Sequence, residues 1–465
     1  MVVLVLEAST SSAKAMVLDT QRKEQKHLSR PYKPGTEKNP RAIFEQLMKV
    51  GSSLVSCQTV SMIALAGIWH SLLLCNREME PVSPLWTWSD TDSYKLCIDL
   101  RKDSEYTKEY YQTTGCMVHS IFPFFKIKYF KNEGMIQKGH KIADQGSYIF
   151  YKLTGNWFAS RSMASGSGFL DIRKKSYSSR VGKELGIMTE DQLPPLVDLG
   201  KTAPLCREAA SLLGLKQGIP VLASLPDGGL NQVGSDAVQK GIMTLSMGTS
   251  AAMRLTSDKP YLPERMSTWS YIAPGGEYLN GAAISGCCNC VDWAKGQFFS
   301  ENISYSDIEK QMDPRRQVPV FLPFLYGERC PGWNDEKKAS YHGLKAHHSS
   351  VDKFQAVLEG VVFNLYQCFL DIQKSGVPIK KIKISGGVLN SNPWKQICCD
   401  VFSLPLTEDS VSQSSLMGGI KVALMCLGES YKTSHDETIL MPDLRKRELY
   451  QQKFGEYLNW YDKSH

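Results

Sequence analysis

Two short tripeptides rich in hydroxyl groups, each lying between two apolar runs, are the residues of this chain best suited to bind an anion. They are Ser9-Thr10-Ser11 and Gly248-Thr249-Ser250. An apolar run, a small polar turn and a second apolar run predict a β-hairpin. Backbone N–H groups and hydroxyls at such a turn form a cradle for an anion. Because the pattern occurs twice, it predicts two similarly built domains that face one nucleotide.

A carboxylate suited to proton transfer lies just ahead of the second tripeptide. The buried strand predicted over 219–223 leads into Pro226-Asp227-Gly228-Gly229. Two glycines let a substrate approach the backbone closely, and a carboxylate beside them is able to accept a proton from a hydroxyl group. The alternative is that Asp227 caps a helix that begins near Leu230.

A glycine-rich turn near the C-terminus has the form of a nucleotide-binding corner. The strand predicted over 382–384 runs into Ser385-Gly386-Gly387, and a helix is predicted over 393–402. A strand, a glycine turn and a helix N-terminus together favour phosphate or nucleotide binding.

Length and charge narrow the class of protein. With 465 residues the chain is too long for one ordinary core, so two domains are expected. The formal net charge is +7 and the basic clusters are short, which argues against a nucleic-acid partner. No apolar stretch approaches the roughly 18 residues of a membrane span, and the N-terminus does not resemble a signal peptide. We therefore expect a cytoplasmic protein without a membrane partner.

The cysteines also favour the cytoplasm. There are 13, an odd number, scattered and often adjacent, as expected of reduced thiols. Cys287 and Cys290 have metal-type spacing, but no second pair of ligands follows at the distance of a zinc site. No zinc site is expected.

Strands and helices are predicted to alternate, which is typical of an α/β layer architecture. We expect hairpin strands over 1–20, a helix over 40–57 and a buried strand over 62–66. The polar-aromatic segment 86–90 follows two prolines and is expected to be a loop outside the core.

In the second half, Ser349 or Ser350 is expected to cap a long amphipathic helix. The domain boundary is expected near residue 237, after the helix that follows Asp227. This divides the chain into domains 1–237 and 238–465.

In combination, several motifs resemble the FGGY carbohydrate kinases of the actin/hexokinase superfamily, and within them the gluconate kinases. The family motifs are Gly248-Thr249-Ser250, segment 321–331, Leu358-Glu359-Gly360, Ser385-Gly386-Gly387, segment 392–396 and Met417-Gly418-Gly419. The segments similar to gluconate kinases are 70–73, 87–90, 115–119 and 359–366. The resemblance implies an α/β fold of two actin/hexokinase-like (ribonuclease H-like) domains with a cleft between them. It also implies a sugar-binding N-terminal domain and a nucleotide-binding C-terminal domain.

The resemblance further implies ATP-dependent phosphorylation of a sugar-acid hydroxyl, D-gluconate first, with Mg²⁺ as cofactor. Asp227 would be the general base and Glu7 would lie beside the metal. The nucleotide and its phosphates would be held by Ser9, Thr10, Ser11, Lys14, Gly248, Thr249, Ser250, Gly286, Gly386, Gly387 and Asn390. The sugar acid would face His70, Trp88, Asp90 and His119. Lys14 alternates in a strand, so exposure to solvent is an equal alternative for it.

Three positions depart from the family pattern and leave alternatives open. Glu7 and Ser9 stand where the family has Asp and Gly, and Asp92 stands where it usually has Arg. A kinase for another polyol or ketose such as xylulose, or a weakened relative that only binds sugar or nucleotide, therefore remain alternatives. A sugar acid also needs a cationic or N–H donor near its carboxylate, and His70 and His119 are the candidates. A homodimer is left open.

Overall fold

In the computed structural model, residues 1–55, 59–409, 413–431 and 438–464 are described. The first half of the chain forms one large mixed sheet, three two-stranded sheets and the helices around them. Its strands are β1 (Val2–Ala8), β2 (Ser12–Asp19), β3 (Glu24–Pro31), β4 (Met62–Gly67), β5 (Leu73–Cys75), β6 (Lys141–Ala143), β7 (Ala159–Ser160), β8 (Leu170–Asp171), β9 (Ser176–Tyr177), β10 (Leu196–Val197), β11 (Thr202–Pro204), β12 (Pro220–Leu222) and β13 (Leu225–Pro226). Its helices are α1 (Pro40–Ser52), α2 (Tyr94–Arg101), α3 (Ser104–Thr114), α4 (Pro123–Asn132), α5 (Gln145–Thr154), α6 (Arg161–Ser165), α7 (Ser179–Leu185), α8 (Thr189–Gln192), α9 (Arg207–Leu213) and α10 (Asp227–Gly234).

The second half repeats this layout. Its strands are β14 (Ile242–Met247), β15 (Ala251–Ser257), β16 (Trp269–Ile272), β17 (Tyr278–Ile284), β18 (Val320–Leu322), β19 (Ser340–His342), β20 (Lys381–Gly386), β21 (Leu406–Glu408) and β22 (Ile439–Leu440). Its α-helices are α11 (Cys288–Phe298), α12 (Tyr305–Glu309), α13 (Ser350–Gln373), α14 (Asn392–Phe402), α15 (Ser414–Cys426) and α16 (Arg447–Lys463), with 3₁₀ turns at Gly387–Asn390 and Leu444–Lys446.

Both predicted hairpins are present, and in each the first strand pairs in parallel with a buried strand of its own sheet. The first sheet has the order β11-β12-β4-β1-β2-β3 and the second the order β16-β17-β15-β14-β20-β21-β22. In each, the antiparallel hairpin (β1–β2 or β14–β15) pairs in parallel with a buried strand, β4 or β20. The carboxyl ends of β1, β4, β14 and β20 are therefore where ligands are expected to bind in such sheets. The α/β architecture expected from the sequence is confirmed.

One helix of the second half packs on the first sheet. Helix α15 contacts β1, β4 and α10, and its apolar side chains join the core formed by β1 and β4. It crosses α10 where both helices carry glycine: a Cβ on Gly418 would overlap the Leu230 carbonyl oxygen, and one on Gly234 the Ser414 carbonyl oxygen. In the chain, α10 ends at Gly234 and β14 begins at Ile242, on either side of the predicted boundary, which stays a prediction.

Two local expectations need correction. Helix α1 begins at Pro40 as expected but ends at Ser52, and the expected end at Cys57 lies outside the described residues. Segment 86–90 is a loop, yet Trp86 is buried and its ring lies 4.3 Å from that of Phe130, so part of this segment belongs to the core. A polar neighbourhood in sequence did not prevent burial, because the ring fills a gap beside α4.

The long helix is capped as predicted. Ser349 accepts a hydrogen bond from the Asp352 amide, and the Asp352 side chain accepts one from the Ser349 amide, which forms a capping box at the start of α13. In the described ranges, no helix combines the length and apolar character that a membrane crossing requires.

Candidate active site

A cleft of about 330 Å³ lies between the two halves of the chain. It brings together four of the predicted site residues, Trp88, His119, Thr249 and Ser250. The other residues that line it are Ser89, Thr91, Ile121, Ser285, Asn289, Tyr326, Glu328, Arg329 and Asp335. Predicted sugar-side residues from the first half thus face the hydroxyl turn of the second half.

Asp227 does not line this cleft; it is the first residue of α10 and directly follows β13. Its carboxylate accepts a hydrogen bond of 2.7 Å from the adjacent Gly228 amide. A helix-capping aspartate instead accepts from the second or third amide of the helix, and the residue before α10 is Pro226. Capping therefore does not account for this carboxylate.

The surroundings of Asp227 make its carboxylate more basic. Burial raises the pKa of Asp227, and the negative charge of Glu7 raises it further, while the Gly228 amide and Arg254 oppose the rise. A raised pKa strengthens a carboxylate as a proton acceptor.

Glu7 is buried and held from two sides. Its Oε1 forms an ion pair of 3.0 Å with Lys14, which stands opposite it in the β1–β2 register. Its Oε2 accepts a hydrogen bond from Ser415 of α15. Lys14 therefore has an acid partner and is not simply a solvent-facing side chain. Its predicted role on phosphate stays a prediction.

Ser9 explains how the first turn closes without the family's glycine. Its hydroxyl donates to the Ser12 carbonyl oxygen at 2.9 Å and accepts from the Ser12 amide at 3.2 Å. A serine thus completes the turn through its side chain. Thr10 and Ser11 remain exposed at the tip.

The second turn is tied to the start of α11. The Gly248 carbonyl accepts from the Cys288 amide at 2.9 Å, while Thr249 is exposed toward the cleft. Nearby, Gly386 adopts a φ of +96°, a region that favours glycine. Gly386, Gly387 and Asn390 are exposed after β20, which leaves their backbone accessible to a nucleotide.

Gly286 has a packing reason to be glycine. It is buried, and a Cβ there would overlap the Pro323 carbonyl oxygen and come within 2.8 Å of the Cys290 sulfur. Its predicted position beside the adenine and ribose stays a prediction.

The structure favours neutral rings for both histidines, and their predicted contacts with the sugar acid stay predictions. Burial lowers the pKa of His70 to about 3 and also lowers that of His119. His70 Nδ1 lies 2.5 Å from the Gly166 carbonyl oxygen, so this nitrogen donates and Nε2 is left as an acceptor. His119 Nε2 lies 2.9 Å from Asp335. Both rings are therefore neutral at neutral pH.

Asp90 does not line the cleft. Its carboxylate accepts from the Thr87 amide at 2.8 Å and pairs with Lys38, so it braces its own loop. Asp92 is exposed, does not line the cleft, and its nearby cation is Lys126. The charge reversal at Asp92 is thus kept out of the cleft.

Sequence reasoning did not single out two arginines of the second half, of which Arg254 acts on the charge of Asp227 and Arg329 lines the cleft. Arg254 lies in β15, four residues after Ser250. Arg329 lies in segment 321–331, one of the family motifs. An arginine between Met253 and Leu255 in an apolar strand was an available signal. Among the described residues, no group of three or more His, Cys, Asp or Glu is placed to hold a metal ion.

Comparisons with known proteins agree with this architecture. The N-terminal domain model of the FGGY family of carbohydrate kinases matches residues 2–234, and its C-terminal domain model matches 243–427. The chain is 26% identical to a gluconokinase from Bacillus subtilis, over 84% of this chain and 80% of that protein. It is 24% identical to a xylulose kinase from Staphylococcus xylosus, over 81% and 78%.

A solved gluconate kinase from Lactobacillus acidophilus has a TM-score of 0.92 and 23% identity, over 100% of this chain and 98% of that one. A ligand-bound xylulose kinase from the same organism also has a TM-score of 0.92, with 24% identity over 99% and 98%. These structures share the two-domain fold. With both family models matched in order along most of its length, the chain belongs to the FGGY family of carbohydrate kinases.

Proposed function

We propose that this kinase transfers the terminal phosphoryl group of ATP to a hydroxyl of a sugar acid, D-gluconate first, to give 6-phosphogluconate. The observation that carries the proposal is Asp227, a carboxylate of raised pKa that lies at the start of α10, directly after β13. Phosphoryl transfer to a hydroxyl needs a positioned base and donors around the phosphates. Asp227 takes the hydroxyl proton, and the Gly248-Thr249-Ser250 turn holds the phosphates.

ATP fits the carboxyl ends of the strands in the second domain. The open backbone at Gly386 and Gly387 accommodates the nucleoside, and the exposed turns Ser9-Thr10-Ser11 and Gly248-Thr249-Ser250 supply donors for the phosphates. Lys14 adds a cation next to the first turn.

Mg²⁺ fits beside Glu7. Protein-bound Mg²⁺ takes one or two carboxylates and completes its shell with water and substrate phosphates, so a larger acid cluster is not needed. Glu7 already holds Lys14 and Ser415, so its contact would run through a water of the metal. When bound, the metal neutralises charge on the phosphates.

Gluconate is favoured because relatives named gluconokinase match this chain over most of its length. Xylulose kinases also match, and xylulose is the second candidate. The partners are small molecules. A cytoplasmic location fits the cysteines, since all twelve in the described ranges are free thiols.

The test is ADP release by purified protein with ATP and Mg²⁺ against gluconate, xylulose, ribulose and glycerol. We expect release that depends on gluconate. Turnover of xylulose without turnover of gluconate would make xylulose the substrate, and the kinase activity would still stand. No turnover of any sugar, with sugar or nucleotide still bound, would support the weakened relative.

A further inference from the structure

Two arginines of the second half, Arg254 in β15 and Arg329 on the lining of the cleft, have buried guanidinium nitrogens without a hydrogen-bonding partner. Arg254 Nε and Nη1 and Arg329 Nε are buried without a hydrogen-bonding partner. Neither guanidinium forms an ion pair within the described ranges of the chain. Burying a charge without a partner is costly, so such a pair persists only where a ligand supplies the missing acceptor.

The two guanidinium groups and one hydroxyl belong to the same polar cluster. The charges of both arginines act on the Tyr271 hydroxyl, and the charge of Arg329 also acts on Arg254. The Tyr271 hydroxyl is itself buried and unpartnered. Arg254 Nη2 lies 2.9 Å from where a Cβ on Gly228 would stand, next to Asp227.

The other acids and cations around the cleft are already engaged. Asp335 contacts His119 and Arg101. Glu328 is held by Lys337 at 3.3 Å and by the Tyr461 hydroxyl at 2.5 Å. The nearby cation Lys126 donates to carbonyl oxygens, those of Ser120 and Asp90. Arg254 therefore faces only Asp227 as a carboxylate, and Arg329 faces none of these acids.

We propose that Arg254 and Arg329, together with the Tyr271 hydroxyl, bind the carboxylate of the sugar acid and so select acids over neutral sugars. This assignment rests on the kinase function proposed above and names its substrate class. A guanidinium fork matches a carboxylate in two parallel hydrogen bonds. A sugar hydroxyl brings no charge to offset two buried cations, so a neutral ketose leaves the cluster uncompensated.

The variants Arg254→Gln and Arg329→Gln test the assignment by titration calorimetry without nucleotide. We expect each to weaken gluconate binding by about 10- to 100-fold, the effect of losing a hydrogen bond between charged groups. Binding of glucitol, the same chain without the carboxylate, should change less than about threefold. Arg254→Lys keeps the positive charge but loses the guanidinium fork, so its affinity for gluconate should lie between those of the wild type and Arg254→Gln. Arg22→Gln, an exposed arginine, is the matched control.

Thermal unfolding provides a readout that does not depend on activity. Because each variant removes buried guanidinium nitrogens that lack a hydrogen-bonding partner, the unliganded variants should melt at or above the wild-type temperature. Gluconate should raise the melting temperature of the wild type but not of the variants. Variants that melt earlier than the wild type and bind gluconate and glucitol equally poorly would show a structural role and overturn the assignment.

The kinetic outcome separates this assignment from the kinase itself. Arginine-dependent gluconate binding without any ADP release would keep the anion site and overturn the kinase proposal. Gluconate-dependent ADP release that both variants retain with unchanged KM would keep the kinase and overturn the anion site. A loss of kcat equal for gluconate and xylulose would assign the arginines to the transferred phosphoryl group and overturn the site as proposed.

Discussion

At the residue scale, the chemistry depends on how Glu7 and Asp227 influence each other. Glu7 is itself paired with Lys14 and bonded by Ser415, yet its charge still raises the pKa of Asp227. Glu7 has a longer side chain than the family's Asp. This side chain reaches Lys14 across the hairpin and Ser415 of α15. The glutamate at this position is therefore accommodated by its contacts with Lys14 and Ser415.

Replacing Asp227 by Asn should lower kcat by at least about 100-fold, the scale of a lost general base. Sugar and nucleotide affinities should remain nearly intact, because the amide has the shape of the carboxylate. Steady-state kinetics and calorimetry measure both, with Asp258→Asn, an exposed aspartate, as the control. Near-normal turnover in Asp227→Asn would remove this residue from the mechanism.

The pH profile gives a second test at this scale. Asp227 must be deprotonated to accept a proton, so kcat should fall as the pH drops through its raised pKa. Glu7→Gln removes a neighbouring negative charge, lowers the pKa of Asp227 and should move the acidic limb of kcat to lower pH. An acidic limb that stays in place would show that Asp227 does not determine it.

At the element scale, the crossing of α10 and α15 positions the base. Helix α10 begins with Asp227, and α15 supplies Ser415 to Glu7, so both acids depend on this one contact. The helices approach closely because Gly234 and Gly418 face the carbonyl oxygens of the opposite helix.

Gly418→Ala should therefore reduce the free energy of unfolding by about 3 kcal/mol, since its Cβ meets a backbone atom that cannot yield easily. The control is Gly455→Ala in α16, where a Cβ meets nothing within 4 Å. That change should raise stability by about 0.5–1 kcal/mol, because alanine favours a helix. Urea unfolding measures both, and equal stability of the two variants would contradict the packing argument.

At the scale of the whole molecule, one acid joins the two domains at the cleft. Asp335, between β18 and β19, contacts His119 at 2.9 Å and Arg101 at 3.4 Å, both from the first half. Although burial raises it, the pKa of Asp335 is held below its ordinary value by these two partners. The contact therefore links the two halves of the chain at the cleft.

Asp335→Asn should raise the KM for the sugar by about twofold to fivefold, as expected for an ion pair worth up to ~1 kcal/mol. The KM for ATP should be unchanged, because these contacts lie on the sugar side. Asp313→Asn, an exposed aspartate with only local partners, serves as the control. Kinetics with each substrate varied in turn measure the effect, and an unchanged KM for the sugar would contradict it.

The sequence by itself determined the features that depend on neighbours along the chain. Hairpin turns, the Gly386-Gly387 turn and the capped helix from Ser349 follow from periodicity and turn chemistry, which act over a few residues. The end of a buried strand likewise predicted where Asp227 would stand. These features repeat a family pattern, which is why the two-domain fold was predictable.

Only the tertiary structure decided which side chains meet. Arg254 and Arg329 come from distant segments, and no local pattern shows that both have buried guanidinium nitrogens without a hydrogen-bonding partner. His119 was expected to be a donor to the sugar, but packing buries its ring against an acid of the other domain. Charge state and contact depend on burial and on partners remote in sequence, and these exist only once the two domains have folded against each other.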